Sequence, residues 1–165
     1  MNFISFEQIL DQVHEARNAY YRLVIITGGA RAGKTTTLRG VAEKLALPLL
    51  NLGLAMSHTM LSQSRRQRSL QAEDVARDVI DTQPEVALCL DNTELLFDSS
   101  LRLNPLQLLQ DLSRSRLLVA TWNGALQNGD LAFGYVGHPD YFRSPAKGFP
   151  VITVTHSHYE SHLIT

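Results

Sequence analysis

Apolar and polar positions alternate along this chain with two different periods, and the switches between them mark its elements. Phe6, Ile9, Leu10, Val13 and Ala16 recur at helical spacing, which predicts a helix over about 5–19 lying on a core. Ser5 with Gln8 three residues on reads as a capping box, and Ile4 is placed to staple onto Ile9. Leu23-Val24-Ile25-Ile26 is a continuous, β-branched apolar run, as a strand buried on both faces requires. Glycines follow it, then a helix from about Lys34 to Leu47 that Pro48 stops. Residues 49–54 predict a second strand, and about 61–81 a helix that is Arg-rich early and carries Leu70, Val75 and Val79 later. Residues 86–90 form a third buried run ending at Asp91. Asn104-Pro105 is an N-cap followed by proline at the first helical position, opening a short helix through Leu106, Leu108, Leu109 and Leu112. Residues 117–120 and 151–155 are the fourth and fifth strands.

Strands alternating with helices argue for an α/β fold: a five-stranded, mainly parallel sheet with helices on both faces, in one domain over 1–155. Residues 124–148 hold five of the ten glycines and two of the six prolines, an excursion from this pattern with room for a short hairpin. Residues 156–165 read as a polar C-terminal tail.

Composition narrows the classes. A chain of 165 residues with 44% hydrophobic residues buries a core without disulfides, and Cys89, the one cysteine, lies inside an apolar run. The N-terminus lacks the basic start and apolar core of a secretory signal. No apolar stretch approaches ~18 residues, so no membrane contact is expected and the cytoplasm is the expected location. A net charge of −1 excludes a generic basic coat for nucleic acid. Arginine nonetheless outnumbers lysine twelve to three, a bias towards bidentate phosphate and carboxylate contacts.

Gly28-Gly29-Ala30-Arg31-Ala32-Gly33-Lys34-Thr35, with Thr36 behind it, satisfies G-x-x-x-x-G-K-[ST] at every fixed position between a buried strand and a helix. Such a loop curls so that successive N–H groups form an anion nest at a helix N-terminus. Lys34 is then placed for β/γ phosphates and Thr35 for Mg²⁺. A site of this kind needs a second acid at the end of another strand, and Asp91 terminates such a run. Asn92 follows it, able to orient a water but not to take its proton. Glu94, three residues past Asp91, is the candidate to polarise the attacking water, or else a solvated first-turn glutamate.

At the tip of the fourth strand, Thr121 or Asn123 could contact a γ-phosphate, although Asn123-Gly124 also reads as a turn. Trp122 reads as packing. Arg114 and Arg116 could reach a neighbouring copy's nucleotide, or simply answer a helix dipole. Weaker signals are the cluster Arg65, Arg66 and Arg68, read as a solvated face with indirect or weak DNA contact as the rival, and His156, His158 and His162, read as tail rather than metal site. Tyr20 and Tyr21 precede the first strand, where an adenine could sit or where they simply pack. Arg143 and Lys147 are the residues that a phosphate-transferring kinase would draw on.

Taken together, loop 28–35, Asp91-Asn92-Thr93-Glu94-Leu95-Leu96-Phe97-Asp98, Pro105-Leu106-Gln107-Leu108-Leu109, Leu112-Ser113-Arg114, Ala120-Thr121-Trp122-Asn123-Gly124 and Gly137-His138-Pro139-Asp140-Tyr141 resemble the BrxF family. These are the small P-loop proteins of the third type of BREX (bacteriophage exclusion) defence system. The resemblance implies an AAA-like strand order, ATP and Mg²⁺ as ligands, and a place beside other BREX defence proteins. It also implies that Lys34 and Thr35 bind phosphate and metal, that Asp91 is the metal-side acid and that Glu94 is catalytic. No helical lid fits after Thr155, so activity is expected to depend on a homo-oligomer. The expectation is a slow ATP hydrolase, with a nucleotide-gated adaptor as the alternative and a small-molecule kinase as the less favoured third.

Overall fold

Three apolar runs dictate the frame because each must be covered on both sides. The computed structural model describes residues 2–156 and 158–164; Met1, Ser157 and Thr165, at the start of the chain and in the expected tail, lie outside them. The order of elements is β1 (Phe3–Ile4), α1 (Phe6–Ala16), β2 (Leu23–Gly28), α2 (Lys34–Leu45), β3 (Leu49–Asn51), α3 (Leu52–Met60), α4 (Arg65–Asp81), β4 (Ala87–Asp91), α5 (Pro105–Leu112), β5 (Leu117–Asn123), β6 (Ala125–Gln127), β7 (Asp130–Phe133), β8 (Phe142–Pro145), β9 (Pro150–Thr155) and β10 (His158–Leu163). Two short 3₁₀ turns, Glu94–Phe97 and Ser99–Leu101, lie between β4 and α5.

The main sheet runs β1-β10-β9-β2-β5-β4-β3. From β9 to β3 every pairing is parallel, whereas β10 and β1 pair antiparallel. Period-two alternation sends successive residues to opposite faces. Val24, Ile26, Cys89, Val119 and Ile152 pack with Ile9 and Val13 of α1 and Leu38 and Val41 of α2. Leu23, Ile25, Leu88, Leu90, Leu118 and Val151 pack with Met56 of α3, Val75 and Ile80 of α4 and Leu109 of α5. Helices therefore cover both faces, as expected. Among the described residues, no helix is long and apolar enough to cross a membrane.

The main sheet has seven strands rather than five: β1, two residues long and just ahead of α1, is one of the two additions, and the polar tail supplies the other. Residues His158–Leu163 pair along six positions of β9, with Ser161 buried and accepting from Gln12 Nε2 at 2.6 Å. A strand near a sheet edge carries polar and charged residues, so β10 had no apolar run to announce it. The expected strand over 49–54 stops at Asn51, whose side chain accepts from Leu54 N at 2.9 Å and starts α3. The expected helix over 61–81 begins only at Arg65, where Ser64 and Gln67 form a capping box. The first helix ends at Ala16, short of 19.

The excursion is a second, three-stranded sheet, β6-β7-β8, rather than a short hairpin. Asn128 and Gly129 turn it at φ 51° and 81°, the left-handed pair that a two-residue hairpin turn needs. Its aromatic side closes on the main sheet: Phe97 stacks on Phe133 with centroids 4.2 Å apart and meets Trp122 edge-on at 4.7 Å. Trp122 is fully buried and donates Nε1–H to Ala132 O at 3.1 Å. Only glycine fits at 124, because a Cβ there would lie 1.8 Å from Ala132 O.

Trp122→Ala should cost about 3–5 kcal/mol in a urea titration, since it empties a filled aromatic cluster and orphans a buried carbonyl. Burial pushes the Cys89 thiol up to about 12. At pH 8 the native thiol should therefore resist an aromatic disulfide reagent and react only after denaturation.

Candidate nucleotide-binding site

Parallel strands in register bring their C-terminal ends to one edge. Gly28 of β2 pairs with Asn123 of β5, Leu90 of β4 with Ala120, and Asn51 of β3 with Asp91. Open α/β sheets offer ligands the crevice beyond such an edge.

Loop 28–35 leaves β2 there and enters α2 directly. Gly28 is packed so close to β9 that a Cβ would lie 2.6 Å from Val154 O. The loop then tightens through Ala32 N–H to Gly29 O at 3.2 Å, with Arg31 at φ 61° and Gly33 at φ 107°. The helix it opens has no side-chain cap and no acidic residue in its first turn. By contrast Ser5, Asn51, Ser64 and Asn104 cap the other four α-helices. The first N–H groups of a helix have no intrahelical acceptor, so α2 presents an open, positively polarised end.

Lys34 folds back over this loop, and its Nζ donates to Gly28 O and Gly29 O at 2.8 Å each. Burial pulls its pKa below the usual lysine value, while Glu94 and then Asp91 oppose that shift. The ammonium is desolvated, close to two carboxylates and held by neutral carbonyls.

Asp91 Oδ1 accepts from Thr35 Oγ1 at 3.3 Å, Thr121 Oγ1 at 3.1 Å and Asn92 N at 2.9 Å. Thr35 and Asp91, the two expected metal-side residues, therefore meet. A hydroxyl and a carboxylate side by side are hard oxygen donors of the kind Mg²⁺ takes when substrate oxygens and waters complete its shell. Both tip residues of β5 are engaged: Thr121 on Asp91, and Asn123 through Nδ2 on the Glu94 carboxylate.

Asn92 turns away. It adopts φ 55°, donates Nδ2–H to Asn51 Oδ1 at 3.0 Å, and accepts at its carbonyl from Gly53 N at 2.9 Å. That anchoring leaves Glu94, not Asn92, beside Asn123. The chain does not continue helically from Asp91; a left-handed residue comes first and the 3₁₀ turn starts at Glu94. Asn51, Gly53 and Thr93, whose Oγ1 donates to Thr121 O at 2.6 Å, are supports that the sequence reading missed. Only Asn51 had a readable signal, as an N-cap before an apolar stretch. Ala30, Arg31, Gly33, Lys34, Thr35, Thr36 and Asn123 line a cleft of about 440 Å³ here.

Other candidates from the sequence are not brought to this edge. Arg22 N donates to Ser113 O and Leu118 N to Arg22 O, so Tyr20, Tyr21, Arg114 and Arg116 lie at the start of β2 and β5. That is the opposite end of six-residue β2, roughly 20 Å from Gly28. Arg116 Nη1 donates to Ile80 O at 3.0 Å and Gln83 O at 3.2 Å, and Nη2 pairs with Asp81 at 3.5 Å. It closes the C-terminus of α4, the helix-dipole role. Arg114 lies 4.6 Å over the Tyr20 ring, a cation–π contact. Arg143 is paired with Asp130 at 2.8 Å, away from the cleft. His162 lies 3.7 Å from Glu160 in β10.

No family model and no curated protein matches the chain. Among solved structures, one of C. elegans PCH-2 superimposes with a TM-score of 0.44 at 15% identity, covering 74% of this chain and 37% of that one. The chain thus spans little more than a third of that protein's length.

Proposed function

We propose that this protein binds ATP·Mg²⁺ at loop 28–35 and hydrolyses it slowly to ADP and phosphate. The observation that carries the reading is the meeting of Thr35 and Asp91 beside the desolvated Lys34, at the uncapped N-terminus of α2. On binding, Lys34 Nζ exchanges the Gly28 and Gly29 carbonyls for phosphate oxygens, and the first N–H groups of α2 donate to the same anion. Thr35 and Asp91 would hold Mg²⁺, which would supply charge neutralisation of the phosphates. Glu94 accepts the proton of the attacking water, and Asn123 fixes the orientation of its carboxylate.

The fold supports this reading through β5, which stands between the strand bearing the loop and the strand bearing Asp91; the resemblance calls that order AAA-like. From the resemblance we further propose a cytoplasmic component of a type 3 BREX defence complex, with other BREX proteins as partners and a homo-oligomer as the active form. Arg114 and Arg116 lie at the opposite end of the sheet from this chain's own loop, so any contact of theirs with nucleotide would be with a neighbouring copy's in the homo-oligomer. A kinase reading loses its arginine, since Arg143 is committed to Asp130.

One observation favours the adaptor as second reading. Asn92, the residue after Asp91, cannot take a proton from water and is tied to Asn51 instead, so that position offers bound nucleotide no base.

Lys34→Ala should weaken ATP binding about tenfold to hundredfold or more in titration calorimetry, from loss of its charge-assisted hydrogen bonds; undiminished affinity would refute the site. Glu94→Gln should lower phosphate release about a hundredfold while leaving ATP affinity intact, the size of a general-base contribution. If wild type and Glu94→Gln release phosphate equally slowly yet both bind ATP, the adaptor reading holds. Light scattering with and without ATP·Mg²⁺ tests the oligomer: specific activity should rise with protein concentration as mass grows.

A further inference from the structure

An open groove of about 730 Å³ runs between α4 and the 3₁₀ turn Ser99–Leu101. Arg65 and Arg66 line one wall with Ser69, and Arg102 the other with Ser99 and Ser100. A cavity of about 470 Å³ adjoins it, sharing Arg65 and Ser100 and adding Arg68. The three neighbouring arginines are plain in the sequence, but Arg102 joins them only through the fold.

This cluster is electrostatically unbalanced. Among the described residues, Arg65, Arg66 and Arg102 make no ion pair. The carboxylates of the surrounding elements keep their charge, Asp98 lining the adjoining cavity, but they accept from groups other than these three arginines. Asp98 accepts from Ser100 N at 2.9 Å and Ser100 Oγ at 2.6 Å, Asp140 accepts from Ser99 N at 2.9 Å, and Glu73 pairs with Arg77 at 3.3 Å. Three exposed guanidinium groups around one concavity repel one another, and their planar forks match phosphate oxygens. They do so in a chain whose net charge is −1, so the groove is a local feature rather than a coat.

An exposed aromatic stands on the loop that is tied to the groove residue Ser99. The Asp140–Ser99 hydrogen bond fastens loop 134–141 to the groove. His138 Nδ1 accepts from Asp140 N at 3.1 Å, and the His138 ring packs edge-on against Tyr135 with centroids 5.2 Å apart. Tyr135 is thus held in place although 69% exposed, and Leu70 inside the groove is 72% exposed.

We propose that this groove binds single-stranded nucleic acid, the arginines holding successive phosphates and Tyr135 stacking a base. Basic grooves flanked by exposed aromatics suit single strands, because every base has a stacking face. A groove with arginines on both walls suits a run of phosphates better than the single group of a phosphopeptide, and a duplex would leave Tyr135 without an unpaired base. The proposal does not rest on the ATP reading.

The test is fluorescence anisotropy with a labelled thymidine oligonucleotide of about sixteen residues. The wild-type protein should bind it with a log–log salt slope near −2, as about three phosphate contacts give. The triple variant Arg65→Ala/Arg66→Ala/Arg102→Ala should bind at least about tenfold more weakly with a slope near zero. Tyr135→Ala should weaken binding about tenfold without changing the slope. Arg39→Ala, exposed on α2, should change nothing, and all variants should melt with the wild type because the altered side chains are exposed. No binding by the wild type, or equal binding by the triple variant, overturns the proposal. So does equal binding of a phosphopeptide with Tyr135→Ala silent, which would make the groove a general anion face.

Discussion

The register of β5 between β2 and β4 is the constraint on which the rest of the molecule depends. Because Ile26 pairs with Thr121 and Leu90 with Ala120, the polar end of β5 arrives level with Asp91 on one side and the start of loop 28–35 on the other. Thr121 then reaches Asp91, Asn123 reaches Glu94, and Thr27 Oγ1 donates to Gly124 O at 2.9 Å. A slip of one residue would exchange every inward side chain of β5 between the two faces. Trp122 would leave the aromatic cluster and the hydroxyl of Thr121 would leave the acid. Packing against two different helix layers and the geometry of the site are therefore enforced by the same apolar residues, Leu117 to Ala120, all buried.

Much of this was legible in the chain before any coordinates. Loop 28–35, Asp91 and the strands around them announce themselves because their physics is local: buried parallel strands are continuously apolar, and an anion nest needs glycines at fixed spacing. The capping box at Ser5 and the cap at Asn104 were legible for the same reason. What escaped was set by distant partners. The strand His158–Leu163 is polar because it lies near an edge, so its pairing with β9 left no periodic mark. The excursion's three strands are too short to show a period. Asn92 occupies the position where an acid was sought, yet Asn51 and Gly53 claim it from the far side of β4.

The arginines show how position decides what one residue type does. Arg114 and Arg116 precede Leu117, so the direction of β5 places them at the edge opposite this chain's own loop 28–35. Arg116 answers orphan carbonyls at the end of α4, Arg77 reaches Glu73 on its own helix and Asp111 of α5 at 3.7 Å, and Arg143 ties β8 to Asp130 of β7. Each of these is satisfied by a partner that stabilises an element. Arg65, Arg66 and Arg102 are not, which is why the same residue type reads as scaffold in one place and as recognition in another.

The connection 91–102 carries both acids of the candidate site, Asp91 and Glu94, and one wall of the arginine groove. Its two ends are held differently. At Asp91 and Asn92 it is tied by hydrogen bonds to Thr35, Thr121 and Asn51; at Ser99 it is tied to Asp140 of loop 134–141. Between them Phe97 is wedged against Trp122, Phe133 and Phe142. Close-packed interiors transmit displacement rather than absorbing it, so Glu94 and Ser99 cannot shift independently while that ring stays in place. The small sheet built from 125–145 is therefore more than an insertion. By clamping Phe97 and presenting Asp140, it sets where Glu94 stands relative to Asn123 and where Arg102 stands relative to Arg65.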